Sequence, residues 1–139
     1  MAGKIIPMRE KGGESEKVTI NVGYVDLGRI DLLVEEGFYS NRTDFIRTAI
    51  RNQLGQQEET VRRSIVRQTL DLGIRDYRRA DLEAARRAGE TLDIKVVGLV
   101  RIAADVTPEL ALATIKSITV LGALQASATV KAALADRIR

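Results

Sequence analysis

Residues 17–52, a stretch of 36 residues, contain one segment of alternating polar and apolar residues and two amphipathic helical patterns. Across residues 17–23 every second side chain is apolar, which is the period of a strand with one buried face. Apolar residues then recur at helical spacing for about three turns, after Asp26 as the expected N-cap and before Gly37 as the expected C-terminal stop. The stretch therefore predicts a strand followed directly by a helix.

A second amphipathic helix follows, with the Ser40 hydroxyl as its predicted N-cap. The apolar side of this helix comprises Phe45, Ile46, Ala49, Ile50 and Leu54. A lone strand leaves two unpaired edges, and a unit of roughly 35 residues buries too little apolar surface to be stable by itself. We therefore predict a two-fold dimer, in which the strand pairs antiparallel with its copy from the partner chain over four helices.

In such a dimer the side chains of Lys17, Thr19 and Asn21 line the outward face of a two-stranded ribbon. A two-stranded ribbon fits the major groove of B-DNA. There asparagine pairs with adenine, lysine reaches guanine, and threonine contacts a base edge or a thymine methyl group. The alternative interpretation is that the strand and both helices belong to a larger α+β core, whose polar face is simply solvated.

The stretch resembles the ribbon-helix-helix DNA-binding proteins, the class of the Arc and methionine repressors, most clearly in the segment GFYSNRTDFIRTAIR. The resemblance implies that the start of the second helix holds a DNA phosphate. The groups that correspond here are the amides of Asn41 and Arg42 and the hydroxyl of Ser40. Free N–H groups and the helix dipole favour an anion at such a position.

Two positions depart from the pattern of that family. Gly23 stands where a third base-reading side chain is often found, and Val25 stands where a proline often opens the first helix. Base reading is therefore expected to depend on Thr19 and Asn21, with Lys17 contacting either a base or a phosphate.

Composition excludes several other kinds of site. The chain has no cysteine and no histidine, which argues against disulfides, zinc or nickel centres, and the usual nucleophilic triads. It also lacks the glycine-rich phosphate loops of nucleotide-binding proteins. We expect a protein that is not an enzyme and has no cofactor or metal. Without an apparent membrane span or secretory signal, it is expected in the cytoplasm, associated with the nucleoid.

Charge is spread unevenly along the chain. The whole chain carries a net charge of +3, but residues 1–55 contain as many acidic as basic side chains. DNA affinity would then depend on where cations such as Lys17 and Arg42 lie. We interpret residues 1–16 as a flexible, solvated arm, with contact to DNA beside the ribbon as the alternative.

Residues 56–90 are predicted as a charged helical connector. Acidic residues precede basic ones by four positions, as in Glu58 with Arg62 and Asp71 with Arg75, a spacing that supports exposed helices. We predict one helix up to Gly73 and a second from about residue 74 to residue 88. The arginine clusters are interpreted as a solvated face rather than a nucleic-acid patch, because acids are interleaved with them.

An internal repeat occupies the last part of the chain. Residues 94–106 align with residues 118–130, and each copy is an alternating apolar segment centred on a glycine and followed by a helical pattern. Thr107 and Pro108 provide a cap and a first helical position. Two parallel strands joined by a helix are predicted, with a hairpin-like or coiled arrangement as alternatives. The predicted role is oligomerisation, with binding of a small effector as the alternative.

The sequence thus predicts an α+β protein with an arm (1–16), a ribbon-helix-helix domain (17–55), a connector (56–90) and a repeat domain (91–139). The predicted function is sequence-specific transcriptional regulation by a repressor that binds double-stranded DNA. Its dimers are expected to join into tetramers or larger assemblies. The alternatives are an architectural or segregation protein that coats DNA, and an antitoxin-like module that binds a partner.

Overall fold

The structure is a computed structural model that describes residues 13–139. Residues 1–12, which make up most of the predicted arm, lie outside the described residues. The elements in chain order are α1 (Tyr24–Glu35), α2 (Arg42–Gln56), α3 (Glu58–Gln68), β1 (Asp71–Tyr77), α4 (Arg79–Arg87), β2 (Leu92–Ile102), α5 (Pro108–Thr114), β3 (Ile115–Gln125), α6 (Ala128–Ala133) and a short 3₁₀ helix (Ala135–Arg137). They form two compact units: a helical unit of residues 15–64, and a sheet unit of residues 65–139 with residues 13 and 14.

Helix α1 of the helical unit begins before the predicted N-cap, since Asp26 lies within its first turn. The prediction that Asp26 caps the helix is therefore wrong. The predicted end is confirmed: Gly37 has a φ of 88°, and the amides of Gly37 and Phe38 donate to the carbonyls of Val34 and Leu33. This pair of bonds satisfies the last carbonyls of the helix and requires a residue that tolerates positive φ, which glycine does.

The N-cap of α2 is Asn41 rather than the predicted Ser40. The Asn41 side-chain oxygen accepts a hydrogen bond of 2.8 Å from the Asp44 amide. In return the Asp44 carboxylate accepts a bond of 2.9 Å from the Ser40 amide. The Tyr39 ring meets the Phe45 ring edge-on at 5.0 Å, which fixes the turn between the two helices. The reciprocal bonds explain why the cap lies one residue later than expected.

Residues 17–23 form no helix, and they pair with no strand among residues 13–139 of the same chain. The predicted strand was expected to pair with the partner chain, so the ribbon stays a prediction here. Val18 and Ile20 have 78% and 66% of their surface exposed. Apolar side chains so open to water indicate that this segment is covered only in an assembly.

The sheet unit contains a parallel sheet with the order β1-β2-β3, in which Gly73, Gly98 and Gly122 lie side by side. The predicted parallel strands are confirmed, and the hairpin-like alternative is excluded. Strand β1 was not predicted: residues 71–77 pair with β2, so the helix expected from residue 74 begins at Arg79. The repeat therefore has three copies rather than two, and the compact unit begins at residue 65 rather than 91.

The core of the sheet unit lies between one face of the sheet and helices α4, α5 and α6. Its fully buried side chains include Leu82 from α4, Ala111 from α5 and Val130 from α6, packed against strand residues such as Val100 and Ile118. Burying each such leucine, valine or isoleucine side chain stabilises the unit by about 1.5–3 kcal/mol. The cap predicted for α5 is confirmed, since the Thr107 hydroxyl accepts a bond of 3.1 Å from the Leu110 amide.

Candidate nucleic-acid interface

The predicted base-contacting side chains Lys17, Thr19 and Asn21 are all exposed. They alternate along the chain with Val18 and Ile20, whose exposure was given above. Within the described part of the chain these three side chains make no hydrogen bond or ion pair. Their donors and acceptors are thus available to a ligand on one side of the segment, while the apolar row is available to a protein surface on the other.

The start of α2 brings the predicted phosphate-binding residues Ser40, Asn41 and Arg42 together. The side-chain oxygen of Asn41 is used as the cap, as described above. The amide of Arg42 donates to no acceptor among the described residues, as expected for the first turn of a helix. Asp44 also lies in this turn and places a negative charge there. The helix start therefore offers free N–H groups, although the Asp44 carboxylate makes the electrostatic potential around them less positive.

The Arg42 side chain is bound within the unit. Its guanidinium donates two hydrogen bonds to the Asp31 carboxylate, each of 2.8 Å, in a bidentate ion pair between α2 and α1. Hydrogen bonding by Arg42 is the main cause that holds the pKa of Asp31 below its usual value. Both side chains are about half exposed, so the pair orients Arg42 more than it stabilises the fold.

Asp31 was not identified from the sequence as a site residue. It lies eleven positions before Arg42 and on a different helix, so no local spacing relates the two. The only available signal was an acidic residue in the first helix among several others. The pairing is a consequence of how α1 and α2 pack, which sequence periodicity does not specify.

The helical unit leaves large apolar side chains open to water. Within residues 15–64, Ile30 is the one buried hydrophobic side chain. Exposed apolar side chains are Tyr24, Val25, Leu32, Phe38, Ile46, Ile50, Leu54 and Val61. Large apolar side chains exposed in this number are typical of a protein interface. The unit is therefore incomplete as a single chain.

The sheet unit has a shallow cleft where the parallel strands end, lined by residues that include Tyr77, Arg101 and Gln125. Arg101 is bound to Asp76 by bonds of 2.6 and 3.2 Å and lies 3.6 Å from Glu14. Arg101 is therefore paired within the unit, whereas Arg78, which also lines the cleft, lies 3.6 Å from Asp81 and stays largely exposed. Among the described residues no cluster is suited to hold a metal, and no helix is long and apolar enough to cross a membrane.

No curated protein and no solved structure matches the chain. The sequence model of the Ribbon-Helix-Helix transcriptional regulator family matches residues 13–131. This match covers most of the chain, including the helical unit and all three strands of the sheet unit, and it confirms the resemblance noted for residues 17–52. The chain belongs to the Ribbon-Helix-Helix transcriptional regulator family, a family of DNA-binding regulators.

Proposed function

We propose that the protein is a sequence-specific repressor, whose dimer reads the major groove with a two-stranded ribbon built from residues 17–23 of both protomers. The observation that carries this proposal is the exposed apolar row of Val18, Ile20 and Val22 beside an exposed polar row. Antiparallel pairing of two such segments buries the apolar row against α1 and α2 of the dimer and turns the polar row outward. An assembly that covers one row and leaves the other free is the form that groove binding requires.

Lys17, Thr19 and Asn21 are proposed to contact base edges. Across an antiparallel ribbon these side chains repeat with two-fold symmetry, so that each half of the operator meets one set. Asn21 has the most specific role, because an asparagine amide pairs bidentately with adenine. The direct prediction is a DNA site with two symmetric halves.

The start of α2 is proposed to fix the dimer on the DNA backbone through the amides of Asn41 and Arg42 and the hydroxyl of Ser40. Free amides at a helix start and the helix dipole both attract phosphate. The guanidinium of Arg42 keeps N–H groups beyond the two that Asp31 accepts, so it can contribute to the same phosphate while remaining oriented.

The sheet unit is proposed to join dimers into tetramers or larger assemblies on DNA, in the nucleoid. Large apolar side chains remain exposed on its strands, among them Leu72 and Leu121. Joining dimers raises the local concentration of ribbons at neighbouring half-sites, so that affinity grows without additional base contacts. This matters because residues 1–55 carry no net charge to strengthen binding.

Asn21→Ala is expected to weaken binding to the preferred site by about 1–3 kcal/mol and to relax the preference for adenine, because a bidentate base contact is lost. Titration of the preferred and a scrambled duplex, at one salt concentration, measures both effects. Asn52→Ala is the matched control, since Asn52 is an exposed asparagine on α2. Unchanged selectivity in Asn21→Ala would show that the proposed strand register is wrong.

Arg42→Ala is expected to weaken binding to all DNA sequences alike and to reduce the slope of log affinity against log salt by about 1, because one phosphate contact is lost. Asp31→Asn is the matched variant: it removes the partner of Arg42 but leaves the cation free for phosphate. We expect Asp31→Asn to bind at least as tightly as the unmodified protein. Equal weakening in both variants would mean that Arg42 serves only to tether α1 to α2.

A further inference from the structure

All three glycines of the sheet have a positive φ, but packing within the single chain explains this conformation for only two of them. Gly73, Gly98 and Gly122 have φ values of 130°, 138° and 126°. A Cβ atom on Gly98 would overlap the carbonyl oxygen of Gly73, and one on Gly122 would overlap the carbonyl oxygen of Gly98. At each of these two positions the backbone of the preceding strand lies so close that only glycine, which has no Cβ, fits there.

Gly73 adopts the same conformation although no described strand approaches it in this way. Among the described residues, no atom lies within 4 Å of the position that its Cβ would occupy, because no described strand pairs with β1 on that side. The repeating pattern specifies what fits there: the backbone carbonyl of a glycine on a parallel strand in the same register. Such a strand is available in this sequence, since β3 presents Gly122 at the opposite edge of the sheet.

Among the described residues, the free edge of β3 pairs with no strand over residues 120–125, and the Gln125 side chain at its end donates a 2.6 Å bond to the Gly13 carbonyl. Near its start, β3 is bridged by Ile138, and the Arg139 amide donates a 2.8 Å bond to the Ile118 carbonyl. Within one chain, β1 pairs with residues 96–102 of β2, and residue 96 is aligned with residue 120 of β3. In the same register, the open stretch of β3 therefore lies opposite residues 71–76, six of the seven residues of β1.

The side chains on the outer face of the sheet also match. Leu72, Val97 and Leu121 form one row across the three strands, with Leu72 and Leu121 at its two ends. These two leucines are 67% and 56% exposed, whereas Val97 between them, flanked by strands on both sides, is partly buried. Placing Leu72 of a second copy beside Leu121 would continue the row and cover both side chains.

We propose that β1 of one protomer adds in parallel to β3 of another, with Gly73 beside Gly122 of the second copy, so that the sheet continues across protomers. The proposal gives the contact by which the sheet unit would join dimers, and in that respect it rests on the proposed function. The contact is heterologous, because it uses different edges of the two copies. It therefore repeats from copy to copy and forms a ring or an open stack, as repeat proteins without capping units do.

Cysteine cross-linking tests this contact directly, because the natural chain has no cysteine. Full-length Leu72→Cys and Leu121→Cys proteins are prepared separately, mixed, oxidised without DNA, and separated under denaturing conditions. The mixture is expected to yield a covalent pair that joins position 72 to position 121. The double variant is expected to yield a ladder of longer products. Within one chain the two positions are separated by roughly 10 Å, two strand spacings, which exceeds the reach of a disulfide.

The controls separate this geometry from other contacts. Each single variant alone should give little product, and Leu112→Cys, an exposed leucine on α5, should not cross-link to Leu72→Cys. Efficient cross-linking of either single variant to itself would indicate two-fold stacking of sheet faces and would overturn the proposal. The proposal would also fail if the Leu72→Cys and Leu121→Cys mixture cross-linked no better than the control mixture with Leu112→Cys. Selectivity for the preferred over a scrambled duplex, measured on the same samples before oxidation, reports base reading by the ribbon and not the contact between sheets, so failure of either proposal is recognised separately.

Discussion

Ile20→Asp is expected to dissociate the dimer and to abolish specific DNA binding, although Ile20 is largely exposed in the single chain. In the proposed ribbon both copies of this side chain are buried against the helices, close to the two-fold axis. An unpaired carboxylate in such a position costs on the order of several kcal/mol, and two carboxylates near each other repel. Sedimentation at micromolar concentration measures dissociation, and titration of DNA measures the loss of binding.

Thr19→Asp is the matched control for Ile20→Asp. It introduces the same charge at the neighbouring position, on the face proposed to contact DNA. We expect Thr19→Asp to remain a dimer and to lose DNA binding through repulsion by phosphates. A dimer that survives Ile20→Asp, or that dissociates equally in Thr19→Asp, would contradict the assignment of the two faces.

Gly98→Ala is expected to destabilise the sheet unit by roughly 3 kcal/mol or more. A residue other than glycine held at a φ near 138° costs roughly 1–3 kcal/mol. The added Cβ would also overlap the carbonyl oxygen of Gly73, and a backbone atom held in a parallel ladder cannot move aside without breaking the pairing. Unfolding of the full chain in denaturant, followed by circular dichroism, measures the loss.

Gly73→Ala provides the comparison for Gly98→Ala, because its φ of 130° is close to the 138° of Gly98 and no atom occupies the space around it. At concentrations too low for assembly, only the conformational strain of roughly 1–3 kcal/mol should appear. Equal losses in the two variants would show that backbone overlap does not decide the need for glycine, and that the three glycines are not aligned as described.

The parts of the fold that could be predicted are those specified by local chemistry. Gly37 at the end of α1 and Thr107 with Pro108 at the start of α5 act within a few residues of their own positions, so the sequence identifies them. Strand β1 could not be recognised in this way. Its Asp71 and Arg75 have the spacing of a helical ion pair, and the strand forms only because β2 lies beside it. Tertiary pairing overrides a weak local preference there.

In the candidate site, too, features that depend on neighbouring residues could be predicted from the sequence, whereas those that depend on tertiary packing could not. The alternation of polar and apolar residues in 17–23 identified two faces without any coordinates. Ser40 and Asn41 are both good helix caps, and the choice between them depends on where the Asp44 carboxylate and amide reach. The ion pair between Asp31 and Arg42 joins two helices, so its formation depends on their packing and is not encoded in any short segment.

Selection of binding sites from random double-stranded DNA by the full-length protein tests the central claim, a dimer that reads base sequence through a two-fold ribbon. The predicted result is an enriched motif with two symmetric halves, which the Asn21→Ala variant enriches poorly or in altered form, and a short protected region when that motif is footprinted. Enrichment of no sequence, with protection that spreads along the DNA, would contradict the account and favour a protein that coats DNA.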